Sequence, residues 1–178
     1  MRDVQVLTSS ARAVVFRKHY SPQHNPKSRA FACLRHSGPV RELRRSGFTR
    51  SRLKPQLAGR YVGFRQIFEL NDVSGESSGV VVLDISTGTI RVEQPGMPGT
   101  DYSTIVSFVV KSNGSVAWLG ISDSDGEAVW KVDSTTGGQP ERLDSSPPDI
   151  PFDSLHLGPH RHRVLWRKGG SRRSAPID

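Results

Sequence analysis

The chain has 178 residues, 34% of them apolar and 24% charged, with 17 Gly, 12 Pro and a net charge of +8. Glycine and proline at this density disfavour a helical bundle, because both are costly inside helices; no apolar run approaches the ~18 residues that span a bilayer. The single cysteine, Cys33, excludes an intrachain disulfide and a cysteine-based zinc site, and leaves a thin-layered β-type domain.

The chain opens without a secretory pattern. Arg2 and Asp3 are followed only by the short apolar stretch Val4 to Leu7, whereas a signal needs about 7–15 apolar residues; as written, the chain is expected in the cytoplasm. Strands are then predicted at Ala13–Phe16, at Phe31-Ala32-Cys33, at Tyr61–Phe64, Val80–Leu83, Ile105–Val110, Ser115–Leu119, Ala128–Val132 and Val164–Trp166, from alternating or continuous β-branched and aromatic runs. Val40 to Arg45 is the one helix candidate, short and poorly capped. Between strands, Asn113-Gly114 and Asp125-Gly126 read as hairpin turns, the first as a type I′ turn in which both central residues have positive φ.

A repeat organises these elements. Each unit is expected to start with a strand ending in a large aromatic, Phe16, Phe64, Trp118 or Trp166, at intervals of 48, 54 and 48. Glycine turns follow at Gly38, Gly88 and Gly137, 50 and 49 apart. Asp84 and Asp133 hold matching positions before the second and third turns, where an Asx side chain caps the turn. Weaker strands come next at Val40–Leu43, Thr89–Glu93 and Gln139–Leu143, and Arg173 to Ile177 belongs to an incomplete fourth unit. The approximate units are 11–55, 56–104, 105–153 and 154–178 of a single β-repeat domain. A period near 49 with three or four antiparallel strands fits the blades of a partial or small β-propeller-like array. A β-sandwich is the alternative, since its strands recur every ~8–12 residues.

Gly59-Arg60-Tyr61-Val62-Gly63-Phe64, Val82-Leu83-Asp84-Ile85-Ser86-Thr87-Gly88, Gly114-Ser115-Val116-Ala117-Trp118 and the stretch from Val164 to Ala175 resemble blades of TolB-like or quinoprotein-like β-propellers. The last stretch is similar to the C-terminus of uncharacterised, mostly secreted actinobacterial repeat proteins. The resemblance implies architecture, and an extracytoplasmic location if the N-terminus is truncated. It carries over no functional residue, and three and a half units imply missing blades or a homodimer.

Charge is distributed in blocks. Residues 1–68 carry 15 Lys/Arg against 2 acids, a net of +13; residues 69–158 carry a net of −10, and residues 159–178 a net of +5. Either the blocks neutralise one another, or the N-terminal third, residues 1–60, binds a polyanion such as nucleic acid.

Constellations for chemistry are sparse. His156, His160 and His162 could supply three metal ligands, with the last two alternating on a strand; the neighbouring Arg161 and Arg163 oppose a cation, and a solvated loop is the favoured reading. Asp123-Ser124-Asp125-Gly126-Glu127 lacks the full spacing of a calcium loop and reads as an acidic hairpin tip. Cys33 reads as a buried, inert thiol, and Trp118 and Trp166 as packing residues. No nucleophile elbow and no Gly-rich phosphate loop occurs. The expectation is therefore a non-catalytic binding module without catalytic residues or cofactors. Its partner would be an unknown protein, a glycan or an envelope component, with weak polyanion binding. A polyanion-binding protein is the second reading and a propeller-loop enzyme the third.

Overall fold

The computed structural model describes residues 4–20, 27–36, 38–43, 54–69, 76–100, 102–134, 138–147 and 149–178. Among these residues every regular element is a strand, so the expected all-β class holds. None of them forms a helix long and apolar enough to cross a membrane.

Four antiparallel meanders follow one another along the chain. The first sheet is β1 (Val4–Ser9), β2 (Ala13–Tyr20), β3 (Lys27–Leu34) and β4 (Arg41–Glu42), paired in that order. The second is β5 (Gln56–Ala58), β6 (Tyr61–Glu69), β7 (Glu76–Asp84) and β8 (Ile90–Pro95). The third is β9 (Thr104–Val110), β10 (Val116–Ser122), β11 (Gly126–Val132) and β12 (Glu141–Ser145). The fourth has three strands, β13 (His156–Leu157), β14 (Arg163–Lys168) and β15 (Ser171–Pro176).

The sheets stack in chain order through three apolar cores. Ala13, Val15, Ala30, Ala32 and Leu43 of the first sheet and its continuation meet Val62, Phe64, Val81 and Leu83 of the second. Tyr61, Val80, Val82 and Val92 on the opposite face of the second sheet meet Ile105, Phe108 and Trp118 of the third. Ala117, Leu119 and Val129 meet Val164, Trp166 and Ile177 around the fourth. Both faces of the second and third sheets are covered, which is why Val80, Val81 and Val82 form an unbroken apolar run with no exposure. The first strands lie beside one another, β1 by β5, β5 by β9 and β9 by β13. Four open sheets with three cores and adjacent first strands fit the propeller-like array expected from the sequence, and also its sandwich alternative.

Two local expectations are corrected. Val40–Leu43 does not form a helix: Arg41 and Glu42 pair with Ala32 and Phe31 as β4, and Leu43 is buried. Arg44 and Arg45 lie outside the described residues. The Asn113-Gly114 turn is not type I′. Gly114 has φ 99° but Asn113 is not in the left-handed region. The Gly114 amide donates to the Lys111 carbonyl at 3.0 Å and the Lys111 amide to that of Ser115 at 2.8 Å. That is a three-residue loop whose last residue needs positive φ, a role glycine fills without Cβ strain.

The aromatic repeat falls on the second strand of each sheet, β2, β6, β10 and β14, not the first. Phe64, Trp118 and Trp166 each turn toward the preceding sheet and are 3%, 0% and 4% exposed. Trp118 donates its indole N–H to the Gly96 carbonyl at 2.8 Å, and Trp166 to the Asp144 carboxylate at 2.9 Å. Phe16 differs, being only half-buried and outside all three cores.

Candidate functional site

All four sheets share one end, here termed the turn end. Antiparallel pairing brings the turns at 10–12, 59–60, 85–88, 111–115 and 133–134 to the ends of their sheets, and contacts between sheets tie these ends together. Arg41 of β4 donates Nε to the Ile85 carbonyl and Nη2 to that of Ser86, both at 3.2 Å, so the first sheet reaches the second sheet's turn. The Tyr61 ring lies against Gly114, joining the second sheet to the third. Ser115 Oγ donates to the Asp178 carbonyl, and Lys111 Nζ donates to that of Ile177 at 2.7 Å, joining the third to the fourth.

At this end a groove of about 430 Å³ opens between the second and third sheets. Tyr61, Ile90 and Arg91 form one wall, and Asn113, Val132 and Asp133 the other. Gln94 spans the two sheets, its Nε2 donating to the Gly138 carbonyl at 2.9 Å. Beside the groove lies Asp84, the last residue of β7, at the start of the 85–88 turn. Asp84 has no exposure, and its Oδ1 accepts the Ser86 amide at 3.0 Å and the Ser86 hydroxyl at 2.5 Å. This is the turn cap expected from the sequence.

The other Asp84 oxygen, Oδ2, pairs with Arg60 Nε at 3.0 Å and Arg91 Nη2 at 3.9 Å. Burial works against the Asp84 charge, but the Ser86 hydrogen bonds and then the Arg60 guanidinium outweigh it and hold the carboxyl below the usual range. Both arginine side chains remain 51% exposed. Arg60 also donates to the Tyr61 hydroxyl at 3.1 Å and lies 5.2 Å over its ring. One buried carboxylate is thus shared by two half-exposed guanidiniums, which leaves excess positive charge on this wall of the groove, while on the facing wall one ammonium, Lys131, lies between the carboxylates of Asp133 and Glu141.

Asp133, at the matching repeat position, behaves differently. Its Oδ2 accepts Lys131 Nζ at 2.7 Å and its Oδ1 accepts the Asp178 amide at 2.8 Å. Lys131 also pairs with Glu141 at 3.2 Å. Burial works against the ammonium, yet the two carboxylates raise the Lys131 pKa above its ordinary value. Asp133 therefore anchors the chain after β15, and residues 135–137 of the turn it was expected to cap lie outside the described residues. Of the repeat glycines, Gly88 has φ 79° and packs under the Arg41 guanidinium. Gly38 sits against Leu34, and Gly137 lies outside the described residues.

The remaining candidates are spread out. His156 is on β13, its Nδ1 2.8 Å from the Ser154 carbonyl oxygen. His160 and His162 do not alternate on a strand; they flank Arg161 in a turn closed by the Gly158 amide on the Arg163 carbonyl, with Arg161 at φ 55°. Among the described residues no three His, Cys, Asp or Glu side chains converge as metal ligands. Asp123 and Asp125 line a hollow of about 370 Å³ at the opposite end with Tyr102, while Glu127 accepts the Ile150 amide at 3.0 Å and is taken up structurally. Cys33 is half-buried rather than buried, because it lies on the outer face of the first sheet.

Sequence reading identified Asp84 but not its two arginines. Arg91 comes from the next strand and Arg60 from the strand start 24 residues earlier, so only the β6–β7–β8 register brings them together. No protein-family model matches the chain, and no curated protein matches it.

Proposed function

We propose that the chain is a non-catalytic β-repeat binding module that engages a polyanion at its turn end, through the phosphate or sulfate groups of a nucleic acid or an acidic glycan. The observation that carries this reading is the shared carboxylate: Arg60 is held 3.0 Å from Asp84 and Arg91 stands 3.9 Å from the same oxygen, so two half-exposed guanidiniums share one counter-charge on this wall of the groove. Arg12 and Arg35 add exposed charge at the same end of the first sheet, where the Arg35 Nε donates to the Ser10 carbonyl at 3.0 Å. A fixed guanidinium gives up less side-chain freedom per anion contact than a mobile one. The resemblance to TolB-like or quinoprotein-like repeats is compatible with this role, since such arrays present loops at their ends.

The test is a fluorescence titration with heparin and with single- and double-stranded oligonucleotides at two salt concentrations. Dissociation constants of ~10⁻⁴–10⁻⁶ M that weaken steeply with salt are expected, and Arg91→Gln should reduce the logarithmic salt slope by about one. Heparin and oligonucleotide arms separate the two sources of anion. Failure to bind either, or binding indifferent to salt and to Arg91→Gln, overturns the proposal.

A further inference from the structure

At the turn end the first two sheets place arginine at the same structural position. In the first sheet the Arg35 amide donates to the Arg12 carbonyl at 2.8 Å, just beyond the Ala13–Leu34 pair. In the second the Ile85 amide donates to the Arg60 carbonyl at 2.9 Å, just beyond the Tyr61–Asp84 pair. Arg12 and Arg60 are therefore equivalent residues one sheet apart, about 10 Å for stacked sheets. Arg41 reaches across the seam between them, bound to the Ile85 and Ser86 carbonyls and to no carboxylate among the described residues. The first sheet has Leu34 where the second has Asp84, and among the described residues no carboxylate pairs with Arg12 or Arg35. The series stops at the third sheet: Gly114 precedes Trp118 by the same four residues that separate Arg12 from Phe16 and Arg60 from Phe64.

Resting on the polyanion reading above, we infer that the partner is a linear acidic glycan whose anionic groups recur once per disaccharide. It lies across the turn ends of the first two sheets, with one anionic group at Arg12 and Arg35 and the next at Arg60 and Arg91. Two features favour a glycan over a nucleic acid. The two seats are one sheet spacing apart, comparable with two linked pyranose rings, whereas each strand of DNA carries a charge per ~3.4 Å of axis. Single-stranded nucleic acids also stack their bases on exposed aromatic rings. The one Phe, Tyr or Trp among the described turn-end residues of these two sheets is Tyr61, 6% exposed and enclosed by Arg60 and Gly114. The course of the glycan ends at the third sheet, where Gly114 brings no charge and Lys131 is already shared by Asp133 and Glu141. A tetrasaccharide is therefore the shortest chain that fills both seats.

Titration at low salt with chondroitin sulfate disaccharide, tetrasaccharide and octasaccharide tests this, beside single-stranded oligonucleotides of matched charge. Affinity should rise at least about tenfold from disaccharide to tetrasaccharide, because the second seat is filled from a high effective concentration. It should change little from tetrasaccharide to octasaccharide, and the matched oligonucleotides should bind more weakly. Arg12→Gln, at an exposed turn, should retain the β-sheet circular dichroism and disaccharide binding but remove the gain of the tetrasaccharide; Arg35→Gln serves if Arg12→Gln does not fold. Lys54→Gln, at the other end of β5, should change neither. Equal affinity for disaccharide and tetrasaccharide, a gain that survives both arginine variants, or tighter binding of the matched oligonucleotides would each overturn the inference while leaving the polyanion reading in place. Binding of no polyanion at low salt would overturn both.

Discussion

Trp118 has no exposure and its indole N–H is satisfied by the Gly96 carbonyl across the sheet seam. Trp118→Ala should therefore cost about 3–5 kcal/mol in denaturant unfolding, the range for large buried side chains. A loss below about 1 kcal/mol would mean that the side chain is dispensable to the core. Gly120, two residues along β10, shows why the seam closes so tightly. A methyl group there would collide with the Gly96 carbonyl oxygen, a backbone atom that the Trp118 hydrogen bond already holds. Gly120→Ala is expected to destabilise by about 1–3 kcal/mol, as overpacking does, and calorimetry would detect it as a lowered Tm.

At the scale of elements, charged groups tie strands across the seams, and their pKa directions fix the response to pH. Asp144 of β12 accepts Lys168 Nζ at 2.7 Å and the Trp166 indole, both from β14. Burial opposes its charge, but these donors outweigh it and hold the carboxyl below its ordinary value. Asp84 is lowered in the same sense. A lowered carboxyl contributes its full stability above the unfolded pKa of ~4 and loses it as pH falls through the folded value. Acid unfolding should therefore set in below about pH 4, and Asp144→Asn should show a weaker acid dependence in pH-resolved thermal melts. Lys131 runs the other way. Its contribution is complete below about 10.4 and is lost as pH rises through the raised folded value, so alkaline softening should be smaller in Lys131→Gln.

The same scale shows what could be read from the chain. Strands buried on both faces, such as Val80–Leu83 within β7, announce themselves by continuous apolar runs. The exposed β1 and the two-residue β13 carry no such signal, because neighbouring sheets and register define them. Likewise Asp84 was legible as a turn cap, since its partner Ser86 is two residues away, whereas the arginines on its other oxygen depend on strand pairing. The Asn-Gly pair gave the position of a turn but not its type, which the Lys111–Ser115 pairing sets.

On the scale of the whole molecule, the charge blocks meet within the second sheet and across the seam between the third and fourth. Arg60 from the basic N-terminal block reaches Asp84, and Lys168 from the basic C-terminal block reaches Asp144. Asp84 and the Lys168–Asp144 pair are largely buried, so the attraction in each pair is offset by the cost of taking its charges out of water, and cohesion rests on the three apolar cores. Each core is shared by sheets adjacent in the chain. Stability in such an array is close to a sum of per-sheet terms and nearest-neighbour terms, as in a one-dimensional lattice. The two inner sheets have two such couplings and the outer sheets one. Fluctuational opening should therefore begin at the ends and travel inward. In native-state hydrogen exchange of the dilute protein, amides of β2–β3 and β14–β15 should exchange through smaller openings than those of β6–β7 and β10–β11. Uniform protection across all four would mean that the molecule opens only as a single cooperative unit.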